Sequence, residues 1–327
     1  MKPGCGLTFS APGKTFLLGE YAVLSSGQAL LLATGPVFSL QLVYGKEEDP
    51  FGFLSEIGQH PMSPAGRLWQ ALLQMHPVSL ATSVRINGKG FGGSSAYLWF
   101  ALLYEAFIKR GSLPILDAMF FSESLARIRT LETVEGRVQP SCADFAAQYA
   151  GRCAMTDLHR SSVVSKSWPF ADVAFILVRT GLAFSTPKHL SGLRFSADPL
   201  IELTKKAIAA FEAADQQTFL DSFCRFQNRL VSESLQLANT TALITKFQQG
   251  CPGFIAAKGC GAMGAETICV LVSEACRERA LRYFLSNNIA VVADTTTLQP
   301  GLTIKSIPEA LVGQKVPVVD QKVDRCY

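Results

Sequence analysis

Lys14 and Glu20 stand on either side of a short apolar run, Phe16 to Leu18, just after a Pro12-Gly13 pair. Lysine and glutamate are rarely buried unless paired, so two charges flanking an apolar strand call for partners or a ligand. A second group is Gly88-Lys89-Gly90-Phe91-Gly92-Gly93-Ser94-Ser95-Ala96, which leads into a helical pattern. Glycines let successive backbone N–H groups aim at one point, and a helix N-terminus adds partial positive charge; together they make an anion cradle. The plain alternative is a glycine-rich turn in which Ser94 or Ser95 caps a helix, and the residues alone favour neither. A Walker loop is excluded, because Gly-Lys followed by Ser or Thr is absent at the required place. A third group is Gln139-Pro140-Ser141-Cys142-Ala143-Asp144, preceded by Glu132 and Glu135. An aspartate at a helix start near a lysine can take the proton of an alcohol, although taken alone it is more simply a helix cap. A fourth, Lys258-Gly259-Cys260-Gly261-Ala262-Met263-Gly264-Ala265-Glu266, reads by itself as a common glycine-rich turn before a strand. Arg179-Thr180-Gly181 and Ser185 to His189 follow a strand. There Lys188 or His189 could hold a carboxylate, with an exposed polar loop as the simpler reading.

The segment Ala11-Pro12-Gly13-Lys14 with Gly19-Glu20-Tyr21-Ala22-Val23 resembles the first motif of the GHMP kinases, the family of galactokinase, homoserine, mevalonate and phosphomevalonate kinases. Its Pro-Gly-Lys and Gly-Glu-Tyr are similar to the mevalonate-pathway branch. Gly93-Ser94-Ser95-Ala96 resembles the close of the second motif. An ungapped match puts the family's Leu on Gly92 and its preceding Gly on Phe91, so this loop is altered or shifted by one residue. Pro140-Ser141-Cys142-Ala143-Asp144 resembles the mevalonate kinase segment Pro-Ser-Gly-x-Asp, with Cys142 in place of Gly. Gly261, Ala262 and Gly264 fit the third motif, Gly-Ala-Gly-Gly-Gly-x-Cys, from which Met263 and Glu266 depart. The motifs occur in family order and span most of the chain.

The resemblance implies a mixed α/β chain with the two-domain α+β GHMP kinase fold. Residues 1–168 would form an ATP-binding domain like the second domain of ribosomal protein S5, and residues 169–327 a ferredoxin-like domain. ATP and Mg²⁺ are the implied cofactors, with the acceptor meeting ATP between the domains. Asp144 would be the catalytic base, and Lys14 would keep it ionised and neutralise developing charge. Gly90, Gly92, Gly93, Ser94 and Ser95 would cradle phosphates. Ser95 and Glu132 would hold the metal, with Glu135 as the alternative to Glu132. Glu20, Tyr21, Gly261 and Ala262 would line the acceptor site. Tyr21 points to phosphomevalonate kinase, whereas Pro-Ser-x-x-Asp and the short span from Ser95 to Asp144 point to mevalonate kinase. Mevalonate therefore ranks first as acceptor, phosphomevalonate second and another small alcohol third. The altered motif positions keep a non-catalytic binding protein open as a different class.

The elements that must place these residues follow from periodicity. Thr8 to Leu24 reads as strand, turn, strand, and Ala29 to Thr34 and Phe38 to Val43 as two further strands. Phe51 to Pro64 reads as a loop, Gly66 to His76 as a helix and Ser83 to Ile86 as a short strand. Apolar residues at three- and four-residue steps predict helices over 96–109, 116–135 and 143–150. In the second half, helices are expected over 200–214, 217–235, 240–248 and 277–287. Strands are expected over 173–178, 254–258, 267–272 and 289–294, and the last fifteen or so residues read as a surface tail.

With 327 residues, 48% hydrophobic and 17% charged, the chain is globular and long enough for two domains. A net charge of +4 without a Lys/Arg-rich run gives no reason to expect nucleic acid. Nine cysteines at irregular spacing, with no Cys-x-x-Cys, argue against structural zinc and for reduced thiols in a cytoplasmic protein. No apolar signal core and no run of transmembrane length is seen, so no membrane partner is expected. The oligomeric state is open, a homodimer included.

Overall fold

The computed structural model describes residues 6–44, 50–76, 78–84, 91–133, 141–181 and 195–307. The run Ala29 to Ala33 is apolar without alternation because its strand is buried on both faces. It lies in β2 (Gln28–Tyr44), antiparallel to β1 (Gly6–Leu18). Leu30 and Leu32 enter one core, while Ala29 and Leu31 enter another. The other edge of β2 is shared. Gln28 to Leu32 pair with β4 (Cys153–Asp157), and Ser39 to Tyr44 with β3 (Val78–Val84). With β5 (Ser162–Lys166) beside β4 and β10 (Thr303–Ile307) beside β1, the sheet has six strands.

Helices cover its first face. After the short α1 (Val23–Ser26) and α2 (Pro50–Glu56) come α3 (Pro64–Met75), α4 (Gly93–Arg110), α5 (Ala118–Glu132) and α6 (Ala143–Ala150). Trp69, Trp99, Phe100, Tyr104 and Phe121 fill the core between them and the sheet. The indole N–H of Trp99 donates to the Phe145 carbonyl at 3.0 Å, fixing α4 against α6. That contact matters for function, because both helices begin at the site.

The second sheet contains β6 (Val173–Arg179), β7 (Phe254–Cys260), β8 (Thr267–Ser273) and β9 (Val291–Asp294), in the order β7-β8-β6-β9 and antiparallel throughout. This is the ferredoxin-like order. Among the described residues three helices, α7 (Asp198–Glu212), α8 (Gln216–Ser232) and α9 (Ala238–Gly250), take the place of the first crossover helix, and α10 (Arg277–Ser286) makes the second. Phe175 and Leu177 point into a core shared with Leu30 and Leu32 of the first sheet and with Phe211, Phe219 and Phe223 of α7 and α8. Ile176 and Val178 point the other way, against Phe247 and Phe284. The two sheets are thus joined through one continuous apolar layer.

Several local expectations change. Pro12-Gly13 is no turn: β1 continues through it with a bulge between Ala11 and Gly13. The two strands expected over 29–34 and 38–43 are one, running through Gly35-Pro36. Phe51 to Pro64 contains most of α2 rather than only loop. β4, β5 and β10 were not expected; β5 and β10 are largely solvent-facing, so they lack an apolar signature. The expected surface tail lies outside the described residues. Seven cysteines are described, and all are free. No described helix is long and apolar enough to cross a membrane.

The chain returns to the first sheet past a close crossing. Gly151, at φ +75°, bridges to Pro300, and a Cβ on it would lie 2.2 Å from the Gly301 nitrogen. Gly151→Val should therefore cost more than about 2 kcal/mol in urea unfolding; a loss within about 0.5 kcal/mol would show that the crossing yields freely.

Candidate functional site

Lys14 is buried in β1, beside the bulge, and its backbone N–H donates to the Phe91 carbonyl at 3.2 Å. Its Nζ lies 3.2 Å from Asp144 Oδ1. Burial alone would push the Lys14 ammonium down. The carboxylates of Asp144, Glu266 and Glu20 outweigh that and raise it, so Lys14 stays charged. Asp144 is the second residue of α6, and its carboxylate is about one-third exposed. It is not the helix cap: Cys142 holds that position in a left-handed conformation, φ 60°.

The start of α4 lies beside this pair. Its N-cap is Gly92 at φ 85°, with no side-chain cap and no acidic residue in the first turn. No described side chain caps the first amides of the helix, and neither Ser94 nor Ser95 acts as the cap. Ser94 is exposed. Ser95 is buried, and its hydroxyl donates to the Gly92 carbonyl at 2.8 Å. Gln148 Nε2 donates to the same carbonyl at 2.8 Å. A Cβ on Gly92 would lie 3.0 Å from Gln148 Nε2 and 3.3 Å from Lys14 Cγ, and the left-handed φ there favours glycine. Gly93 opens the helix over the ring of Phe38.

Two more carboxyls belong to this charge group. Glu132 closes α5; desolvation, and then the charge of Asp144, push it up to about 7. Glu266, from the second half, is also raised, by desolvation and Asp144 against the opposing pull of Lys14. Among the described residues no three His, Cys, Asp or Glu side chains gather into a group that could hold a metal ion alone. Gly88, Lys89, Gly90, Glu135, Gln139, Pro140 and Ser185 to His189 lie outside the described residues.

Glu20 and Tyr21 are both buried and turned toward the second half. Glu20 Oε1 is ion-paired with Lys258, itself fully buried, and Glu20 Oε2 has no hydrogen-bond partner among the described residues. Lys258 Nζ also donates to the Gly259 carbonyl at 2.8 Å and lies 5.5 Å from the centre of the Phe226 ring. The Tyr21 hydroxyl accepts the Met263 N–H at 2.9 Å, and desolvation pushes its pKa up to about 12. Gly261 and Ala262 lead from β7 into the single 3₁₀ turn Ala262–Gly264. All three motifs therefore meet, with Lys14 and Glu20 as the joints.

The sequence reading missed Lys258, Gln148 and the contact between Phe91 and Arg179. The signal used for Lys14, a lone cation in an apolar strand, was equally present at Lys258. Gln148 carried no signal. A groove of about 540 Å³ lined by Ser25, Gln28, His159, Arg160 and Lys205 among others shares no residue with these motifs.

The sequence matches no family model and no curated protein. The fold does match solved structures. A Lin0012 protein from Listeria innocua aligns with a TM-score of 0.65 at 17% identity, over 92% of this chain and 99% of that one. Streptococcus pneumoniae phosphomevalonate kinase, in complex with phosphomevalonate and AMPPNP, gives 0.64 at 13%, over 88% and 98%. An L. major mevalonate kinase in complex with R-mevalonate gives 0.59 at 15%, over 89% and 95%. A galactokinase and a homoserine kinase match as well. These kinases are GHMP kinases, and the chain has the GHMP kinase fold.

The buried pair gives a direct test. Lys258→Met leaves Glu20 charged in an apolar interior and should cost about 3–5 kcal/mol in urea unfolding, whereas the double variant with Glu20→Gln should recover most of it. Equal losses in single and double variants would show that the pair contributes only through its volume.

Proposed function

We propose that this chain is an ATP-dependent small-molecule kinase acting on a primary alcohol, with mevalonate as the leading acceptor and 5-phosphomevalonate as the second. The observation that carries the reading is the Lys14–Asp144 pair, 3.2 Å apart at the start of α6. It joins a base that an alcohol can reach to a buried cation, beside the uncapped start of α4.

ATP, when bound, supplies the phosphoryl group. The free amides at the start of α4 suit its phosphates, and Gly92, Gly93, Ser94 and Ser95 line that start. Asp144 takes the proton of the acceptor hydroxyl as that oxygen bonds to the γ-phosphorus; the bond to the β–γ bridging oxygen breaks, and ADP leaves. Lys14, paired with Asp144, offsets negative charge as it spreads over the transferring group. Lys14 faces three carboxyls, and one cation cannot balance them. Glu132, raised by desolvation and then by the charge of Asp144, would be the carboxyl that gains most from a divalent ion beside it. With no cluster of protein ligands among the described residues, Mg²⁺ would rest on phosphate oxygens and one carboxylate, Glu132, as it commonly does at nucleotide sites. The Ser95 hydroxyl would have to turn from the Gly92 carbonyl to join it.

Mevalonate is favoured by Pro140-Ser141-x-x-Asp144 and by the short span from Ser95 to Asp144. Phosphomevalonate is favoured by Gly19-Glu20-Tyr21 and by the phosphomevalonate kinase among the similar folds. The division of the chain near residues 168 and 169, where β5 has ended and β6 has yet to begin, belongs to the same proposal.

ADP release should be followed with ATP·Mg²⁺ and mevalonate, 5-phosphomevalonate, galactose, homoserine or no acceptor. Turnover with mevalonate alone is expected, and removal of Mg²⁺ should abolish it. Asp144→Asn should lower kcat by about 10²–10⁴-fold while nucleotide affinity is kept; unchanged turnover would remove Asp144 from its role. ATP binding without turnover of any acceptor would favour the non-catalytic class.

A further inference from the structure

Phe91 stands where the second motif carries a glycine, and the structure gives that ring a partner. Arg179 ends β6, and its guanidinium carbon lies 4.8 Å from the centre of the Phe91 ring. Phe91 is buried, directly precedes the N-cap of α4, and takes the Lys14 N–H on its carbonyl. A cation from the second half thus lies at the reacting end of the cradle built by the first.

The strand end that carries Arg179 is fixed. Its own N–H donates to the Ala290 carbonyl at 2.9 Å, and the next residue, Thr180, donates through its hydroxyl to the Ala265 carbonyl and through its N–H to Glu266 O at 3.3 Å. None of the ion pairs among the described residues includes Arg179. A guanidinium resting on an aromatic ring keeps the N–H donors at its edge free for an acceptor. Phosphate oxygens are the acceptors that this planar fork fits best.

We propose that Arg179 is a catalytic residue that contacts the γ-phosphoryl group from the second half, and that Phe91 is the positioning residue that holds it there. This rests on the kinase reading. Arg179 stands on the ring of Phe91, whose carbonyl holds the Lys14 N–H, so the transferring group would be held between cations from both halves. The ring at position 91 serves as the platform that a glycine could not provide.

The test is a binding titration on the full chain, with AMPPNP·Mg²⁺ and ADP·Mg²⁺ compared for the wild type, Arg179→Gln and Arg179→Lys. Arg179→Gln should bind AMPPNP at least about tenfold more weakly, with ADP affinity kept within about twofold. Its kcat should fall by about 100-fold. Arg179→Lys, which keeps the charge without the fork, should fall between, and Phe91→Leu should shift the same quantities less. AMPPNP affinity unchanged in Arg179→Gln, or both nucleotides weakened in parallel, would overturn the proposal while leaving the kinase reading intact. A wild type that binds neither nucleotide would overturn both.

Discussion

The buried ion pair between Glu20 and Lys258 is the constraint on which the site depends. One charge ends the first motif and the other begins the third, and neither is open to solvent. A pair of this kind adds little net stability, because desolving both ions offsets their attraction. What it imposes is position: the two sheets must sit where both charges are satisfied together. The hydrogen bond from Met263 to Tyr21 and the stacking of Arg179 on Phe91 lie in the same seam. The Lys14–Asp144 pair belongs wholly to the first half, yet its charge balance includes Glu266 from the second. The candidate site is therefore a product of the seam as much as of either sheet.

The parts legible in the sequence were those with a local cause. Lys14 stood out because charge in an apolar strand is unusual, whereas Asp144 alone read as a helix cap and was singled out only by the resemblance of its segment to a family motif; α6 was read at its exact bounds. Glu20 stood out too, but its partner lies 238 residues away, and nothing local marks such a pairing. Strands with one wet face and few apolar residues, β5 and β10, were invisible because register and not composition makes them strands. Phe51 to Pro64 read as loop because its glycines and prolines masked a seven-residue helix.

The departures from family glycine have a common geometry. Cys142 and Met263 both lie in the left-handed region, at φ 60° and 58°. Glycine reaches that region without strain, whereas a side chain there costs about 1–2 kcal/mol. Both positions therefore have the backbone conformation that glycine adopts most readily. At Cys142 the buried side chain packs into the first core, and at Met263 the N–H held by Tyr21 fixes the turn. Phe91 differs from both: its change of residue adds a contact rather than a strain.

The return of β10 to the edge of β1 has a consequence for how the molecule comes into being. Gly6 to Ser10 pair with residues 303 to 307, so the outer edge of the first sheet is completed by almost the last described segment of the chain. On a ribosome, everything between them is made first, and until then β1 presents open N–H and C=O groups on its free side. Such an edge is a template for pairing with another chain. Emergence of residues 303 to 307, rather than completion of the first half, is the moment at which this surface closes, and nascent chains stalled in the second half would carry it exposed.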